Sequence, residues 1–361
     1  MPNRRDFFRT MAGAAAGAVA LGGGLTTASR LLAQAPGGGR RQLSIGGRRV
    51  RVIDIHAHCI IPVQDIVKET PLERNGGAAA NQIIGPMRIA QMDKAGIDMQ
   101  ALSINGFWWW AADRELATRI CKAHNEGLAK IVSTYPDRFV ALASVALQYP
   151  DLAAQQLEDA VKRLGMRGTT IGGHNQEDLS LPKYDPFWAK AAELGTPVFI
   201  HPGGADNIIK EDSWRGRGDL GNIIGNPLET TYFLSRLIFD GTFDRHPNLR
   251  IVGAHAGGYL PSYLARTDVA CEVRNNADCA NKKKPREYFK REILVDTMVF
   301  TDEGLRHLVN EVGVGQLVYG TDIPFNWPAN VDLILNASYL SNADKEAILG
   351  GNLMKLLRIT S

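Results

Sequence analysis

From about residue 50 to the C-terminus, short apolar runs alternate with longer stretches whose apolar residues recur three and four positions apart. The short runs are 50–55, 99–104, 139–145, 168–172, 197–201, 249–254, 292–296 and 316–319. Continuous apolar runs of that length are what strands buried on both faces require, as in a parallel sheet. Other stretches, such as 85–96, 114–134, 151–164, 186–194, 228–239, 302–311 and 344–357, carry helical periodicity. Eight strand–helix units in about 310 residues predict a single (β/α)8 barrel, an α/β fold with its site at the C-terminal ends of the strands. A doubly wound open sheet is the competing α/β architecture, but its ligands gather at one crevice rather than around a ring.

The barrel reading makes a demand on the sequence: reactive side chains should fall at strand ends. Asp54, His56 and His58 mark the first strand, His174 the fourth, His201 the fifth, His255 the sixth, Asp296 the seventh and Asp322 the eighth. Residues two apart on a strand point the same way, so His56 and His58 share a direction. Neutral imidazoles suit Zn2+, Fe2+, Co2+ or Mn2+, and a carboxylate completes such a site. His56, His58, His201 and Asp322 are therefore the candidate metal ligands. His255 lies in the run Gly253-Ala254-His255-Ala256-Gly257-Gly258, where it can ligate directly or act as general base on a metal-bound water. His174 is a candidate substrate donor. Three indoles in one loop, Trp108-Trp109-Trp110, cannot all be core, and Trp109 is the candidate for lining the pocket mouth.

Composition places the chain among ordinary globular proteins, with 45% hydrophobic and 22% charged residues in 361. The formal charge of +3 sits on the first 35 residues, where Arg4, Arg5, Arg9 and Arg30 face Asp6 alone. A neutral remainder gives no support to a nucleic-acid partner. Those residues read as a twin-arginine signal peptide: Arg4-Arg5, a weakly apolar run from Met11 to Leu25, then the small-x-small pattern Ala33-Gln34-Ala35. The apolar run of about 15 residues is shorter than the roughly 20 needed to span a bilayer. The expectation is export through the twin-arginine machinery to the periplasm or beyond, with residues 36–49 as a Gly/Arg-rich linker and 50–361 as the barrel. Cys59 and Cys121 sit in apolar segments as buried thiols, while Cys271 and Cys279, eight apart, could close a disulfide in such a compartment.

Seven segments carry a resemblance. They are 53–58 (IDIHAH), 92–103 (MDKAGIDMQALS), 199–202 (FIHP), 225–231 (GNPLETT), 243–249 (FDRHPNL), 255–258 (HAGG) and 319–325 (YGTDIPF). In order and spacing the chain resembles aminocarboxymuconate-semialdehyde decarboxylase and its relatives in the amidohydrolase superfamily, from about residue 52 onward. The resemblance implies a distorted (β/α)8 barrel with one divalent metal, usually zinc and sometimes manganese, on His56, His58, His201 and Asp322. It also implies that His255 activates water and that Arg266 reaches across a homodimer interface to a substrate carboxylate. Guanidinium recognition of a carboxylate makes physical sense of that choice.

Two departures mark this chain. Only 34 residues separate His58 from Asp93, which leaves Arg74 or Arg88 to supply the family's second substrate arginine. Gly203-Gly204 follows His201-Pro202 where the decarboxylase has a tryptophan. The sister group acting on resorcylate-like acids carries His-x-Gly-Glu and a further histidine, where this chain has Gly258 and Phe233. The expected activity is metal-dependent decarboxylation of a small unsaturated or aromatic carboxylic acid. Hydrolysis of an amide, ester or lactone is the alternative on the same site, and a non-catalytic binding protein the third. Asp296 is expected to orient a histidine or cap a helix, and Glu229 to favour a helix N-terminus.

Overall fold

A computed structural model describes residues 39–360 apart from 173–176, 206–207 and 210. The signal-peptide reading and His174 lie outside the described residues. Within the stretch read as a linker, β1 (Leu43–Ile45) and β2 (Arg48–Val50) form an antiparallel hairpin, so its described part is packed structure. Leu43, Ile45 and Val50 bury their side chains in the core, and Gly46 and Gly47 supply the left-handed turn.

All eight apolar runs contain strands. These are β3 (Ile53–His58), β4 (Met99–Ser103), β5 (Phe139–Ala141), β6 (Thr169–Gly172), β7 (Pro197–His201), β8 (Arg250–Gly253), β9 (Ile293–Asp296) and β10 (Leu317–Val318). Every pairing among them is parallel, in the orders β3-β4-β5 and β10-β9-β8-β7-β6. Parallel bridges Ala143–Thr169 and Ala57–Ile323 join the two sheets at both seams. Backbone bonds from Ile55 to Tyr319 (3.0 Å) and from His58 to Ile323 (2.8 Å) reinforce the second seam. The result is the expected α/β barrel.

Alternation along the strands sorts side chains into two layers. Ile53, Ile55, Ala101, Phe199, Val252 and Leu294 pack inside with Val318. Val52, Leu102, Ile200, Ile251 and Ile293 face the helices. A register shift between Asp54 and Ala57 changes the phase of β3. Ile53 and Ile55 point inward before this bulge and His56 and His58 after it, the re-aiming of side chains for which bulges beside active sites serve.

The predicted helices are present at Pro86–Ala95, Arg114–Thr134, Pro150–Lys162, Asp185–Leu194, Asn226–Phe239 and Asp302–Val312. The stretch 344–357 is not one helix. Asn342–Glu346 and Asn352–Leu356 flank a wider π turn at Ala347–Gly351. Gly350 there lies so close to the Arg51 carbonyl that a β-carbon would come within 2.1 Å of it. A further helix, Leu260–Val273, has no clear apolar stripe: Tyr263, Val269 and Val273 are exposed, which hid it from periodicity. Cys271 and Cys279 form a disulfide, and Cys59 and Cys121 are buried thiols. Among the described residues no helix is long and apolar enough to cross a membrane.

Candidate metal centre

The ends of β3, β7, β8 and β10 bring five side chains into one pocket. His56 Nε2 lies 3.0 Å from Asp322 Oδ1, His58 Nε2 3.2 Å, and His201 Nε2 3.9 Å. His255 Nε2 lies 3.7 Å from Asp322 Oδ2. One ligand atom from each of His56, His201, His255 and Asp322 falls within 4.8 Å of the others.

His56, His58 and His201 are each oriented from behind, whereas His255 Nδ1 has no hydrogen-bond partner among the described residues. His56 Nδ1 meets Asp296 Oδ2 at 2.7 Å, and His201 Nδ1 donates to the Pro202 carbonyl at 2.9 Å. His58 Nδ1 meets the Ser103 hydroxyl at 3.0 Å, and that hydroxyl in turn reaches the Ala57 carbonyl. With protons on Nδ1, all three rings present Nε2 lone pairs to the pocket, an arrangement typical of metal-binding histidines. The Nε2 atoms of His56, His58 and His201 and Oδ1 of Asp322 are buried without a hydrogen-bond partner. Buried polar atoms seldom go unpaired. Four that converge fit a divalent cation of borderline hardness.

Electrostatics agree with a site built to take up positive charge. Burial alone would raise the Asp322 carboxyl, but the surrounding imidazoles, His56 first, hold it well below the usual carboxylate range. Burial works against charge on His56 as well, yet Asp322 and Asp296 outweigh it and raise the ring to about 10. A cation in the pocket would compete with that proton for Nε2. His58 is pushed down to about 4 by burial, and His201 well below its ordinary value by burial and its neighbouring rings.

Local backbone makes the geometry possible. His255 and Asp322 both take left-handed φ angles, 54° and 58°, which cost energy for residues with a β-carbon and are held by surrounding contacts. Asp296 supplies those at His255: besides orienting His56, it accepts the backbone N–H groups of His255 (3.1 Å) and Ala256 (2.7 Å). Asp296 is thus the expected orienter of a histidine; it does not cap the helix Asp302–Val312, whose N-cap is Thr301, and holds the turn at His255 instead. Gly320 is needed because a β-carbon would approach Asp296 Cβ to 2.9 Å and His56 Cβ to 3.0 Å.

Other assignments change. Trp109 is fully buried, donates to the Val145 carbonyl at 3.0 Å and packs on His124, so it is core and not pocket lining. The aromatic rings at the strand ends are different ones: Phe107 lies against Gly172, and Phe325 meets the His58 ring at 5.9 Å. Arg266 is exposed on the helix Leu260–Val273, with no ion pair among the described residues of its own chain. Arg88 is buried and committed to protein acceptors, which removes it as a substrate arginine, while Arg74 is exposed. Glu229 is no simple helix-terminus charge. It is wholly buried, and its two oxygens accept the N–H groups of Gly203 (3.2 Å) and Gly204 (2.6 Å), which pins the loop after His201. Ser103 was not foreseen, and a serine ending the strand beside β3 was the available signal.

Known proteins share this arrangement of fold. The amidohydrolase family model matches residues 53–359. The 2-amino-3-carboxymuconate-6-semialdehyde decarboxylase of Dictyostelium discoideum is 33% identical over 281 residues, covering 75% of this chain and 76% of that protein. The gamma-resorcylate decarboxylase of Rhizobium radiobacter is 31% identical over 285 residues, 75% of this chain and 86% of that one. The crystal structure of 5-carboxyvanillate decarboxylase from Sphingomonas paucimobilis superposes with a TM-score of 0.78 at 28% identity, covering 86% of this chain and all of that one. A dihydroxybenzoic acid decarboxylase from Polaromonas, solved with manganese and 2-nitroresorcinol, gives 0.75 at 27% identity, covering 86% and 97%. Two points of identity separate the semialdehyde and resorcylate relatives, so the first is favoured only narrowly. The chain belongs to the amidohydrolase family and is an enzyme of its decarboxylase branch.

Proposed function

We propose that this protein removes CO2 from a small aromatic or unsaturated carboxylic acid at a mononuclear divalent metal site. The observation that carries the reading is the set of unpartnered buried donors from His56, His58, His201 and Asp322, each imidazole fixed from its far side. When bound, the ion would supply a Lewis acid for the substrate's carboxylate and neighbouring oxygen. Zinc is the expected ion from the donor set; manganese is its rival, present in the Polaromonas relative.

Decarboxylation leaves the electron pair of the broken carbon–carbon bond on the substrate carbon, and a proton must arrive there. His255 is suited to hold it, since its ring is the most exposed of the four and Nε2 stands 3.7 Å from Asp322 Oδ2. Phe325 against His58, and the stacked pair Phe300 and Trp327 on the neighbouring loops, offer flat apolar faces for a planar substrate. The similarity to decarboxylases favours carbon–carbon cleavage over the hydrolase alternative. A homodimer in which Arg266 meets a carboxylate in the partner's site is supported by that side chain's exposure beside Tyr263 and Val269. Export by the twin-arginine route is supported by the leader and by the disulfide, which oxidising compartments favour.

A screen of aromatic and unsaturated acids for CO2 release, run beside amides, esters and lactones for acid release, tests the reaction. Metal-dependent CO2 release is expected; turnover confined to the hydrolytic panel overturns the proposal. Cell fractionation with the Arg4-Arg5 pair replaced by lysines tests export, with loss of the periplasmic pool expected.

A further inference from the structure

Arg88 stands on the helix Pro86–Ala95, outside the barrel wall, and is 2% exposed. No carboxylate pairs with it among the described residues. Its Nη2 donates to the His58 carbonyl at 2.8 Å and its Nη1 reaches Gln100 Oε1 at 3.4 Å. Burying a cation against neutral acceptors is a costly way to dock a helix, which Met92 and Ile89 on the same helix do with apolar contact.

The acceptors show where the cost is recovered. Gln100 turns its oxygen toward Arg88, so its Nε2 points the other way and donates to Asp54 Oδ2 at 2.9 Å. Asp54, fully buried, also accepts the N–H of His56 (3.0 Å), the N–H of Thr321 (3.1 Å) and the Thr321 hydroxyl (2.7 Å). Arg88 and Asp54 thus balance each other's charge across one amide. The network grips β3 on both sides of its bulge and the residue just before Asp322.

We propose that Arg88 is a positioning residue for the metal centre: through the His58 carbonyl and the Gln100–Asp54 relay it fixes the backbone that aims His56, His58 and Asp322. The proposal rests on the metal-centre reading, and the experiment separates the two. Wild type, Arg88→Met, Arg88→Lys and Gln100→Met are loaded with Mn2+. Ion content, the rate at which a chelator strips the ion and the electron paramagnetic resonance line shape are measured, together with the denaturant stability of the metal-free proteins.

Wild type is expected to hold about one ion. Arg88→Met and Gln100→Met should release it about 10- to 100-fold faster, with a broadened spectrum, and Arg88→Lys should recover part of the loss because it keeps a donor for the His58 carbonyl. Variants that lose metal-free stability yet release the ion at the wild-type rate overturn the proposal and leave Arg88 a structural residue. A wild type that binds no ion overturns the metal centre itself. Should Arg88→Met fail to fold, Gln100→Met, which keeps the bond to His58, decides between the same outcomes.

Discussion

At the N-terminal ends of the strands, Asp98 accepts the Val52 N–H at 2.7 Å, the Arg49 guanidinium at 2.6 Å and the Arg40 guanidinium, while Arg138 pairs with Asp93 at 2.8 Å. At the C-terminal ends, three imidazole nitrogens and a carboxylate oxygen converge without hydrogen-bond partners. A cavity of about 530 Å3 lies at the first of these ends, lined by Arg40, Arg49, Arg51 and Asp98. What separates the two ends is the state of their polar groups. Charges that satisfy each other close a structure, whereas buried donors left open in a cluster describe the shape of something else that belongs there.

The sharpest way to break this contrast is at the open end. Replacing both His56 and His58 by alanine should abolish ion retention, from one equivalent to none by elemental analysis, and turnover with it; retention of a tight ion would end the metal reading. His255→Gln should keep the ion and lose roughly 10²- to 10⁴-fold in turnover, the range for a group that moves a proton. At the closed end the effect should fall on stability alone. Asp98→Ala should cost about 1–3 kcal/mol in denaturant unfolding and leave ion content unchanged.

His124 sharpens the comparison from a third position. It is buried against Trp108 and Trp109 on the helix Arg114–Thr134, and burial pushes its ring down to about 3. The unfolded chain protonates this residue near pH 6.5 and the folded protein does not. Its contribution is complete above about pH 6.5 and declines as the pH falls toward 3, by at most about 1.4 kcal/mol per unit. His124→Leu should flatten that part of the acid limb in unfolding titrations; an unchanged slope would show that the ring is protonated in the fold.

Much of this was legible in the chain because strands buried on both faces read as unbroken apolar runs, and because barrel chemistry falls at their ends. His56, His58, His201, His255 and Asp322 could be picked out on those grounds. The bulge in β3 could not, since it depends on how one strand registers against its neighbour. Trp109 failed as a pocket residue because its carbonyl partner, Val145, is distant in sequence, and the same holds for Glu229, whose partners lie 25 and 26 residues away. Arg88 offers a charge to the sequence reader, but only contact reveals that the charge is spent on a carbonyl and an amide.

The seam between β3 and β10 has a consequence for how the chain acquires its fold. Thr321 and Asp54, which meet there, are 267 residues apart, so the contact closes a loop spanning nearly the whole barrel. Contacts of such separation come late, because their entropic cost is repaid only once the intervening units are in place. The first barrel strand carries His56 and His58 and the loop just after the last carries Asp322, so most of the donor set is assembled by the same event that shuts the barrel. Ion uptake followed in time during refolding would then report completion of the whole molecule, and chains cut short before residue 322 would be left with an open seam and no complete set of donors.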